Sequence, residues 1–157
     1  MNQKPPPTAN IAQFLTSVGY TPIPFSQNIA GQVLINAKIN DVAGVYILDT
    51  GAGTTVVDAR QADALKLKLN HEEAESTGGG VAGHGLENVP SYNNTIEINQ
   101  VKMDNMAIAV MPLESAWASL ASIGADDELF GFLGVDVLKA GNAIMEFSTM
   151  TLYLKQP

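Results

Sequence analysis

Four consecutive apolar residues, Val45-Tyr46-Ile47-Leu48, run without a break into Asp49-Thr50-Gly51. Such a run predicts a short strand buried on both faces. It draws the carboxylate that follows toward the interior, where burial disfavours the charged form. A carboxylate placed there has to be hydrogen-bonded or put to use. Thr50 offers a hydroxyl for a local bond, and Gly51 lets backbone N–H groups approach the carboxylate closely. The tripeptide alone leaves two readings level: a turn that ends a strand, or a working carboxylate.

The text around this run has the period of strands. Val33, Ile35, Ala37 and Ile39 alternate with Gln32, Leu34, Asn36 and Lys38, and Asn40-Asp41 with Gly44 marks a turn. Thr55-Val56-Val57 predicts a further short strand. Segments 92–99, 101–103 and 106–111 read the same way. Ala143–Phe147 and Thr151–Leu154 form a closing hairpin around Ser148-Thr149. Helical text is short. Ile11, Phe14, Leu15 and Val18 share one face behind Asn10 as a cap, and Asp58–Leu65 carries Asp58 and Gln61 in capping-box positions. Leu113–Leu120 and Val135–Lys139 complete the helices.

Residues 1–9 are polar and proline-rich and read as an extended tail. Pro22 and Pro24 predict a loop over 20–31. The expected organisation is an N-terminal tail with a short helix over 1–30 and one domain over 31–157. With no internal repeat, that domain is a single lobe. Many short strands and few helices predict a mainly all-β barrel or sandwich with helical inserts.

Composition excludes several classes of function. The formal net charge is −8 and no basic run is present, which argues against nucleic acid as a partner. The chain has no cysteine, which removes disulfide frameworks and thiolate metal sites. No apolar stretch approaches the ~18 residues that mark a membrane span. His71 and His84 are too far apart to share a helical turn, so the nearby Glu72 and Glu73 read as a solvated face rather than a metal site. Gly78-x-Gly80-x-x-Gly83 spells a dinucleotide fingerprint, but β-type text follows where that motif needs a helix.

Three elements in order carry a resemblance. Val45–Ala52 is similar to the active-site strand of retropepsin-like aspartic proteases. The glycine-dense stretch Gly78-Gly79-Gly80-Val81-Ala82-Gly83-His84-Gly85 stands where that family has its flap hairpin. Phe132-Leu133-Gly134-Val135-Asp136-Val137-Leu138 stands where it has a hydrophobic-hydrophobic-glycine strand leading into a short helix. Leu129-Phe130-Gly131 also fits that pattern, but no helical text follows it directly. The match covers about residues 31–155 and resembles the bacterial single-lobe members. It implies a single-lobe acid-protease closed barrel with a flap hairpin. It also implies a setting outside the cytoplasm, periplasmic or secreted. The aspartate and arginine that pair in viral members have no counterpart at Thr54 and Val135.

What the resemblance implies chemically is aspartic endopeptidase activity without a cofactor. Asp49 would be the catalytic carboxylate and Thr50 its brace. Gly51, Ala52, Gly79, Gly80 and Val81 would contact an extended peptide substrate. The chemistry needs two carboxylates, one to take a proton from water and one to polarise the carbonyl. Asp58, Asp63, Asp126, Asp127 and Asp136 lack the glycine context, so the second carboxylate has to come from another Asp49 in a homodimer. The rival expectation is a non-catalytic peptide- or protein-binding module on the same fold. Trp117 reads as a helix anchor and His84 as a solvent-exposed loop residue.

Overall fold

The computed structural model describes residues 10–78 and 84–157, at 76–78 and 84–86 by their backbone alone. Helix α1 (Ile11–Ser17) starts at Asn10, whose side chain accepts the Gln13 amide at 3.0 Å. Strands β1 (Tyr20–Pro24) and β2 (Ser26–Gln27) follow. The chain continues through β3 (Val33–Ile39), β4 (Val42–Leu48), β5 (Val56–Asp58), β6 (Glu75–Gly78), β7 (His84–Ile98) and β8 (Val101–Met111). Helix α2 (Glu114–Ser122), β9 (Gly131–Leu133), helix α3 (Val135–Ala140), β10 (Ile144–Glu146) and β11 (Thr151–Lys155) complete it.

Six strands close into a barrel in the order β3-β4-β9-β5-β8-β7, with β7 returning to β3. The fold is therefore mainly β, a closed barrel with short helical inserts. The Asn40-Asp41 turn forms as the sequence requires. Both residues have positive φ, 49° and 69°, and Ile39 pairs with Val42, which makes a two-residue hairpin. Asn40 then helps to close the barrel. Its side chain accepts the Thr95 amide at 3.0 Å, and its backbone amide donates to the Thr95 carbonyl at 2.9 Å.

Alternation along β3 and β4 divides the apolar residues between two cores. Ile35, Ala37, Ile39, Tyr46 and Leu48 fill the barrel. Leu34 and Ile47 face outward and pack with Met111, Leu113, Leu129 and Phe132 under α2. The stretch Tyr46-Ile47-Leu48 leading to Asp49 is thus buried on both faces. Trp117 of α2 stacks on Phe132 with ring centroids 5.3 Å apart, the anchoring role expected of it.

Three local expectations change. Residues 20–27 form strands rather than a continuous loop, and β1 pairs antiparallel with β11. Pro22 and Pro24 are compatible with this because they lie two apart and both turn their nitrogens away from β11. The next inward-facing amide, that of Phe25, donates to Met150 at 3.0 Å. The separate strands expected at 101–103 and 106–111 are one strand, β8. A register shift opposite Asn94, with Asn105 at φ 57°, absorbs the break in pattern. Asp58 caps a single 3-10 turn, Ala59–Gln61, and not a helix through Leu65.

The Asp58 carboxylate is almost fully buried. It accepts from the Arg60 guanidinium at 2.8 Å and from the Trp117 indole N–H at 2.9 Å. Burial pushes its pKa up, but the bonds from Arg60 and Trp117 outweigh burial and leave it below the ordinary value.

Tyr46 is fully buried, and its hydroxyl has no hydrogen-bond partner among the described residues. Desolvation drives its phenol pKa upward. An unsatisfied buried hydroxyl costs roughly 1–3 kcal/mol. Tyr46→Phe keeps the ring and its edge contact with Phe130. It is expected to raise stability by about 1 kcal/mol, read as a higher denaturant midpoint at unchanged m-value.

Candidate active site

The loop after β4 is held on both sides by one strand. β9 pairs parallel with β4, setting Leu48 beside Leu133, and antiparallel with β5, setting Val56 beside Phe132. Asp49 continues this ladder, its amide donating to the Leu133 carbonyl at 2.9 Å. β9 therefore sits between the two arms of the Asp49 loop. Its glycine permits this closeness: a Cβ on Gly131 would lie 2.1 Å from the Val56 carbonyl oxygen.

Asp49 is partly buried, and Thr50 and Gly51 are exposed. The Gly51 amide donates to Asp49 Oδ1 at 2.8 Å, and the Ala52 amide donates to the Asp49 carbonyl at 3.2 Å. The loop thus turns back on its own carboxylate and fixes the side chain. A Cβ on Gly51 would stand 3.2 Å from the same Oδ1, a tight contact that glycine avoids.

Of the two hydrophobic-hydrophobic-glycine candidates, Phe132-Leu133-Gly134 reaches the Asp49 loop directly. The Val135 amide donates to the Ala52 carbonyl at 2.7 Å. A Cβ on Gly134 would approach that carbonyl oxygen to 2.7 Å. Gly131 of the other candidate serves the β9–β5 contact.

A support that sequence reasoning did not find lies beneath the loop. Thr55 is fully buried. Its amide donates to Asp136 Oδ2 and its hydroxyl to Asp136 Oδ1, each at 2.9 Å. The Gly134 amide donates back to the Thr55 hydroxyl at 3.1 Å, and the Val137 amide to Asp136 Oδ1 at 2.9 Å. Asp136 thereby ties the start of α3 to the end of the Asp49 loop. No aspartate–arginine pair stands at Thr54 and Val135, and this carboxylate clamp joins the same two segments. Its only sequence signal was an aspartate two residues after Gly134. Asp136→Ala strands the buried Thr55 amide and hydroxyl. It is expected to cost about 1–3 kcal/mol, read in the denaturation midpoint.

Asp49 and Thr50 open onto a groove lined also by Gly31–Val33, Ile47, Leu48, Met145 and Phe147. Met145 and Phe147 were not anticipated as neighbours of Asp49. On the other side of the loop, Thr54 shares a groove with Glu72–Glu75, Asn88, Pro90 and Tyr92 at the base of the β6–β7 ribbon. That ribbon occupies the flap's place in the chain order, with Gly78 paired to His84. Gly79, Gly80 and Val81, expected to contact substrate, lie outside the described residues, as does the His84 side chain. Ala52 is partly buried, with its carbonyl committed to Val135. Among the described residues no group of three metal-ligating side chains comes together. No described helix is long and apolar enough to cross a membrane.

The sequence matches the model of a family of aspartyl proteases over residues 35–137. Among solved structures, the chain is similar to a retropepsin-like aspartic protease from Rickettsia conorii. The TM-score is 0.55 at 20% identity, covering 86% of this chain and 90% of that one. It is also similar to the retroviral protease-like domain of Ddi1 from Leishmania major, with a TM-score of 0.52 at 17% identity, covering 78% and 87%. No curated protein matches the sequence.

Proposed function

From the premise that this chain belongs to the aspartyl protease family, we propose that it is an endopeptidase whose active species is a homodimer, with Asp49 of each subunit forming the catalytic pair. The observation that carries this reading is the single Asp49 loop, fixed by Gly51 and open to a groove. One such loop supplies one carboxylate, and hydrolysis through activated water takes two.

Across a two-fold axis the two Asp49 side chains would share one proton, because like charges this close do not both ionise. The ionised partner takes a proton from the attacking water while the protonated one polarises the scissile carbonyl. Thr50, exposed beside the axis, would brace the pair, and Gly51 would present backbone to an extended substrate. Gly79, Gly80 and Val81 are assigned to the flap on resemblance, where they would pair with the peptide as an added strand. Turnover should follow a bell in acid to neutral pH, one limb for each proton of the pair.

The test joins activity to association. Specific activity on a peptide library should rise with protein concentration through the range in which sedimentation shows monomer becoming dimer. Turnover by a species that sediments as a monomer would contradict the proposal. Peptide binding without cleavage at every concentration would favour the non-catalytic module.

A further inference from the structure

We infer that two copies join along the free edge of β10, so that their three-stranded sheets merge into one of six strands in the order β1-β11-β10-β10-β11-β1. This inference rests on the homodimer reading and adds the seam that builds it.

The three-stranded sheet has the order β1-β11-β10. Its C-terminal strand is central, with both edges filled by the same chain, so β11 has no edge to offer a partner. The outer edge of β1 is closed chemically. Pro22 and Pro24 turn donor-less nitrogens outward, and the Pro22 carbonyl already accepts the Asn99 side-chain amide at 3.0 Å. The outer edge of β10 has neither block. Ile144, Met145 and Glu146 all carry amide hydrogens, and among the described residues that edge pairs with nothing.

Place and surface agree with topology. Met145 and Phe147 line the same groove as Asp49 and Thr50. A two-fold axis that brings two Asp49 loops together therefore brings two β10 edges into the same neighbourhood. The adjoining apolar groups are uncovered: Ile144 is 38% and Phe147 55% exposed, the latter set edge-on against Phe25. The turn behind β10 is held in shape by Glu146. Its carboxylate accepts from the hydroxyls and amides of Ser148 and Thr149, and those hydroxyl bonds hold its pKa down at about 2.

In antiparallel pairing about a two-fold axis one residue faces its own copy, with Cα atoms about 4.5–5.5 Å apart, within the range of Cα spacings a disulfide spans. The chain has no native cysteine, so single substitutions report cleanly. Under mild oxidation, one of Ile144→Cys, Met145→Cys and Glu146→Cys should give a covalent dimer. Ser26→Cys, on the exposed edge strand β2, should give none. Amide exchange at 144–146 in the unsubstituted chain should slow as concentration rises, a readout that depends on no variant folding. A sedimenting dimer with no crosslink at all three positions, or with concentration-independent exchange there, overturns the seam and leaves the homodimer standing. An active monomer overturns both.

Discussion

Asp49→Asn is expected to abolish the proposed peptide hydrolysis while leaving the fold and the proposed dimer intact. Asparagine has nearly the shape of aspartate, and its side-chain oxygen can still accept the Gly51 amide that holds Asp49 Oδ1 at 2.8 Å. What disappears is the ability to accept a proton from water and return it. Loss of general acid–base function alone costs about 10²–10⁴ in rate. In the proposed pair the substitution enters both halves, so turnover should fall by the upper end of that range or more. The comparison is made over the whole acid-to-neutral pH range, because a shifted optimum would otherwise pass for a loss. Retained turnover would remove Asp49 from the chemistry and leave the loop with a structural role only.

The second large effect concerns the fold. Gly131→Ala places a Cβ 2.1 Å from the Val56 carbonyl oxygen and 2.9 Å from Val57 Cα. Both are backbone atoms of β5, so no side chain can rotate away to make room. Relief requires β9 to part from β5, and β9 also carries the Asp49 arm on its other side. Overpacking of a tight core costs typically 1–3 kcal/mol and occasionally more. With rigid backbone as the obstacle, a loss of about 3 kcal/mol or more is expected. That is a large fraction of the roughly 5–15 kcal/mol that stabilises a domain. Gly53→Ala is the matched control, since its Cβ meets nothing within 4 Å. Equal denaturation midpoints for the two variants would show that β9 and β5 have slack the structure does not display.

How much of this was readable beforehand depends on the range of each interaction. The Asn40-Asp41 hairpin and the double-sided burial of Tyr46–Leu48 follow from neighbours in sequence, and both appear as expected. The Asp49 loop and the Phe132-Leu133-Gly134 element that meets it were legible because each carries its own local signal. Asp58 shows where that ends. Its capping of the next turn was visible, but its bond to Trp117 spans 59 residues and was not. The Thr55–Asp136 clamp spans 81 residues and joins two residue types that are common anywhere. The strand over Tyr20–Pro24 was hidden because its prolines speak for a loop unless the residue knows it lies on an edge, which only the distant β11 decides. Met145 and Phe147 read as hairpin residues, and only closure of the chain sets them beside Asp49.

The central claim is that each catalytic pair takes one Asp49 from each of two chains. Mixing native and Asp49→Asn subunits at fixed total concentration, with time for exchange, tests it directly. If both carboxylates are needed, only native–native dimers turn over, and activity falls as the square of the native fraction. A linear fall, with each native chain contributing its own activity whatever its partner, would contradict the claim.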